Sequence, residues 1–110
     1  MKILLLLTPE EAYHSWWLVK AFELPALPRQ GELVRIGGNR LEINGVTHIV
    51  GENYVEIEVK TGHLSDVCHA FLENQEGWKI RGSLDEDMAE FLEMLERISG
   101  EGGFEFTCET

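Results

Sequence analysis

Tyr54-Val55-Glu56-Ile57-Glu58-Val59-Lys60 alternates apolar and charged residues without a break from Val55 onward. Successive side chains of a strand point to opposite faces, so Val55, Ile57 and Val59 line one face and Glu56, Glu58 and Lys60 the other. The stretch reads as a half-buried antiparallel strand with one solvated face. On its N-terminal side, Leu41-Glu42-Ile43 meets Val46-Thr47-His48-Ile49-Val50 across Asn44-Gly45. That dipeptide best suits a two-residue hairpin, whose central residues take positive φ. Further back, Leu24-Pro25-Ala26-Leu27-Pro28-Arg29-Gln30-Gly31 forms a rigid corner, because each proline fixes its own φ and extends the residue before it. Gly31 can supply a positive φ where the strand Leu33-Val34-Arg35-Ile36 begins, and Gly37-Gly38-Asn39 reads as the turn after it.

The continuous β-compatible run over residues 2–7 predicts a strand covered on both faces. Thr8, Pro9 and Glu11 carry the signature of a helix start, which predicts one helical turn near residues 9–13. The aromatic and β-branched residues that follow predict a strand over 15–24, with a helix over 9–22 as the competing reading. In the C-terminal half, Leu64, Val67, Cys68, Phe71 and Leu72 share one helical face, with Gly77 placed to end the element. A hairpin with Asn74-Gln75-Glu76-Gly77 as its loop competes with that helix. Trp78-Lys79-Ile80-Arg81 reads as a short strand. Ser83 with Glu86 then matches a capping box, and Leu84, Met88, Phe91, Leu92, Leu95 and Ile98 form the apolar stripe of a helix over 84–99, which Gly100 follows. After the Gly100-Glu101-Gly102-Gly103 hinge, Phe104, Phe106 and Cys108 share one face of a last strand, which at a sheet edge could pair with another copy of the chain.

These elements predict one α+β domain over 1–110, strand-rich over 1–60 and helix-containing over 61–110. The expected architecture is a small, strongly bent antiparallel sheet or partly open barrel, with the C-terminal amphipathic helix packed on it and a second short helix. The succession of corner, Gly31-Glu32-hydrophobic strand and hairpin resembles the SH3-like small barrels, a group of diverse function.

The 20 acids and 9 bases of the 110 residues give a net charge of −11, which excludes the basic footprint needed to bind nucleic acid directly. The excess is local: residues 1–72 hold 9 acids and 6 bases, residues 73–110 hold 11 and 3. Asp85, Glu86, Asp87, Glu90, Glu93 and Glu96 fall on the last helix, where Glu86, Glu90 and Glu93 align at i, i+4 and i+7. Such a face suits a basic partner protein, as well as solubility. In size and charge the chain is similar to small immunity and anti-defence proteins, which implies an acidic inhibitor or nucleic-acid mimic. Trp17, beside Trp16, is the other candidate partner-binding residue, because neighbouring strand residues face opposite sides and only one need be core.

The apolar run over residues 3–7 is too short for a signal sequence, and no stretch is long enough to span a bilayer. Two cysteines, Cys68 and Cys108, make no disulfide framework, so a cytoplasmic protein with free thiols is expected, a single Cys68–Cys108 bridge being the alternative. No Gly-rich phosphate loop is present. His63, Cys68, His69 and Cys108 are the nearest approach to a zinc set, but on a helix Cys68 and His69 diverge by about 100°. Glu56 and Glu58 could serve as an acid and base pair, though their alternation with Val and Ile already explains them as solvated positions. Thus no catalytic, cofactor-binding or metal-ligating set is assigned. A protein-binding module is expected, with an oligomeric structural component and a small enzyme as alternatives; the enzyme would need a pocket gathering His48, His63 or His69 with a carboxylate.

Overall fold

The apolar run at the N-terminus forms β1 (Lys2–Pro9), and its burial on both faces follows from its place in the middle of the sheet. The computed structural model describes residues 1–9, 16–36, 38–73, 77–82, 86–104 and 106–108, with the backbone alone for residues 86–88. The other strands are β2 (Trp16–Glu23), β3 (Leu33–Ile36), β4 (Asn39–His48), β5 (Tyr54–Thr61), β6 (Lys79–Gly82) and β7 (Thr107–Cys108). The helices are α1 (Leu64–Glu73) and α2 (Glu86–Ser99). The helical turn expected near 9–13, the Ser83 cap and the Leu84 stripe position fall outside the described residues, apart from Pro9, which ends β1.

The sheet order among the described residues is β3-β4-β5-β1-β2-β6-β7. This overturns the expected antiparallel sheet or partly open barrel. β1 runs parallel to β5, and β7 parallel to β6, so the sheet is mixed. Its two outer strands, β3 and β7, are not paired with each other, so it is open. Alternation in β5 correctly assigns its faces, but period-2 patterning carries no information on neighbour or direction, and β5 is an interior strand with β4 antiparallel on one side and β1 parallel on the other.

The hairpin expected at Asn44-Gly45 is also absent. β4 runs through that dipeptide and bonds β3 with its first half and β5 with its second, with a register shift between Ile43 and Gly45. Gly45 does not take the positive φ that a type I′ turn demands. Instead Asn44 Oδ1 accepts a hydrogen bond from Lys60 N at 2.6 Å, so the side chain fills the break in the ladder. Gly31, at φ 88°, does supply the left-handed residue ahead of β3.

Alternation places Ile3, Leu5 and Leu7 of β1, Trp16 and Leu18 of β2, Val55, Ile57 and Val59 of β5 and Ile80 of β6 on one face. Helix α1 covers that face with Leu64, Val67, Cys68 and Phe71. α2 was expected to lie on the sheet; it packs against α1 and reaches β2 through Phe91, whose ring lies 4.9 Å from Trp16. Phe104 and Phe106 close the cluster, with Phe106 at 5.0 Å from Phe71 and 5.5 Å from Phe91. Ile98, assigned to the stripe, is exposed. No described helix is long and apolar enough to cross a membrane.

Candidate functional site

The acidic row of α2 depends on the helix being held by its other side. Phe91 and Leu95 are fully buried in the core, and residues three and four apart share a face, so Glu90, Glu93 and Glu96 are left exposed. Glu93 accepts a hydrogen bond from Arg97 at 3.3 Å, an i, i+4 pair with both side chains about two-thirds or more exposed, at 73% and 68%. Glu86 lies in the first helical turn, its side chain outside the described residues. Trp17 is elsewhere. It is half-buried on the sheet face opposite the helices, level with Arg81 of β6, so the structure does not gather it with the α2 carboxylates.

That second face is not the solvated surface the sequence predicts. Arg81 Nη1 donates to Glu56 Oε1 and Oε2 at 3.2 and 3.0 Å, with the side chains only 33% and 16% exposed. The pair crosses β1 and β2, which separate β6 from β5. In a flat sheet that is a gap of about 14 Å, so the contact measures how strongly twist coils the sheet toward this side. Leu6 and Val19 are buried beneath, apart from the main core. Glu58 pairs with Lys60 at 3.5 Å. Both carboxylates considered as an acid and base pair are therefore engaged by cations.

The thiols and imidazoles do not converge. Cys68 is buried in the core, where loss of water pushes its thiol up to about 12; Cys108 is exposed on β7, and the two are unbridged. A thiol held protonated in this way is a poor nucleophile. His48, His63 and His69 are exposed, and no cluster of three metal-ligating side chains occurs among the described residues.

No protein family, curated protein or solved structure matches this chain. One surface has no counterpart among the candidate residues of the sequence. A slot of about 340 Å³ beside β3 is lined by Glu32, Leu33, Val34 and Arg35 and by Leu24, Ala26, Leu27 and Pro28 of the preceding corner. It meets a smaller apolar hollow of about 90 Å³ that shares Leu24, Val34 and Arg35 and is lined further in by Ile3, Leu5 and Phe22. The signal that could have found it is the clustering of Arg29, Arg35 and Arg40, three of the nine bases, in an otherwise acidic chain.

Proposed function

We propose that the chain is a non-enzymatic protein-binding module of the cytoplasm that docks a basic surface of another protein on the outer face of α2. The observation that carries this reading is the exposed row Glu90, Glu93 and Glu96 on a helix whose inner side is pinned by Phe91 and Leu95. Arg97 offsets Glu93, but like charges at these spacings oppose helix formation by a few tenths of a kcal/mol per pair, roughly, so helix stability gives no reason for Glu90 and Glu96. Fixed on a packed helix, the carboxylates speed encounter with a cationic partner and reject anionic ones. The narrower form of the reading is an acidic inhibitor that occupies the nucleic-acid groove of its partner.

The test uses the wild-type chain and an E86Q/E90Q/E93Q/E96Q variant as parallel baits in cell extract at low and physiological salt. A basic protein retained by the wild type at low salt, weakened by added salt and absent from the variant supports the reading. Equal retention on both baits overturns it. Displacement of DNA from the captured protein by the wild-type chain separates the inhibitor from other binding roles.

A second reading, assembly of copies through Phe104–Cys108, is favoured by the position of β7 as an outer strand with one open edge. Because Phe104 and Phe106 also pack into the core of their own chain, substitution at the exposed Thr107 tests it more cleanly than deletion. A wild-type chain that is monomeric by light scattering removes this reading.

A further inference from the structure

The outer edge of β3 combines an open backbone ladder, a slot and a local reversal of charge. Ile43 N donates to Glu32 O at 2.9 Å, and hydrogen-bonded positions alternate along an antiparallel pair, so Glu32, Val34 and Ile36 bond inward to β4. The amides and carbonyls of Leu33 and Arg35 consequently face away from the sheet. The slot borders this edge, since three consecutive residues of β3, Leu33, Val34 and Arg35, line it. Its lining also includes Pro28, which has no N–H to offer the ladder. The hollow beneath suits a single branched aliphatic side chain.

Charge indicates what kind of segment fits. Residues 29–40 hold three arginines and one acid, Glu32, in a chain of 20 acids and 9 bases. Arg35 and Arg40 stand directly opposite each other across the β3–β4 ladder, which concentrates positive charge beside the edge.

We propose that the β3 edge takes an extended acidic and aliphatic segment of another protein as an added strand. Its backbone bonds Leu33 and Arg35, one aliphatic side chain enters the hollow, and its carboxylates meet Arg29 and Arg40. Two copies joined β3 to β3 would set the same arginines against one another, which is why the occupant is a different chain. This surface is separate from α2 and opposite to it in sign, so its test stands whatever α2 binds.

The probe is a capped heptapeptide alternating glutamate and valine, added to the isotope-labelled full chain and followed by NMR. The expected result is amide shifts centred on Leu33 and Arg35, with slowed hydrogen exchange at both. An R29Q/R40Q variant, altered only at exposed side chains, should bind about tenfold more weakly, and the same peptide with glutamine for glutamate should lose a similar factor. L33P removes an outward N–H that β4 does not use, and should abolish binding while the remaining spectrum keeps its dispersion. No binding up to the solubility of the peptide, shifts centred on another part of the sheet, equal binding of the glutamine peptide, or undiminished binding by R29Q/R40Q each overturns the proposal.

Discussion

Cys68 and Cys108 carry the same side chain in opposite surroundings. Alkylation of the native chain near neutral pH should therefore modify Cys108 alone, with Cys68 reacting only in denaturant, as mass spectrometry of the adducts will show. The same burial makes stability depend on pH. The folded chain keeps the Cys68 proton up to about 12, while the unfolded chain releases it near the ordinary value of 9.0. The contribution is complete below the lower value and is lost as pH rises toward the upper one, so the urea midpoint should fall across that window and fall less in C68A. Phe91 has a different role: fully buried, it touches Trp16, Phe71 and Phe106 at ring distances of 4.9, 6.3 and 5.5 Å. F91A should cost about 3–5 kcal/mol in urea titration. At this scale much was legible. Helical spacing put Cys68 and Phe91 on apolar faces, and strand alternation separated Trp16 from Trp17, because both periods follow directly from backbone geometry.

α1 and α2 were legible as elements because a helix is defined by contacts within itself and announces its end. Gly100 shows the device: at φ 75° it donates from its N to Glu96 O at 2.9 Å, so G100A should lower stability by about 1 kcal/mol, measured by thermal unfolding. β4 was misread because Asn-Gly serves a hairpin or a bulge, and the choice lay in Lys60, sixteen residues away along the chain from Asn44. The Glu56–Arg81 pair was hidden for the same reason. A double-mutant cycle over E56Q and R81M should give a coupling of about 1–2 kcal/mol, the partial exposure of Arg81 keeping it below the value for a fully buried pair. The exposed Glu93–Arg97 pair should give under about 0.5 kcal/mol.

Strand order is a property of the whole molecule, and no local pattern in the sequence encoded it. The parallel pairing of β1 with β5 brings Ile3 beside Val55 and Leu7 beside Val59, contacts far apart in sequence. Such contacts close long loops before they gain anything, so refolding in stopped flow should fall in the slow range typical of sheet-rich domains, milliseconds to seconds, rather than microseconds. The electrostatic asymmetry was legible at this scale in part: counting acids located α2, but the basic stretch around β3 acquired meaning only once that strand was seen at the sheet edge. The place of β1 also bears on how the chain is made. Val55 leaves the ribosome 52 residues after Ile3, the residue it will flank. At about 5–20 residues per second this leaves the most apolar strand of the protein with one edge unmatched for roughly 3 to 10 s of every synthesis. That interval, rather than the finished fold, is when the chain is most exposed to aggregation and most in need of a chaperone.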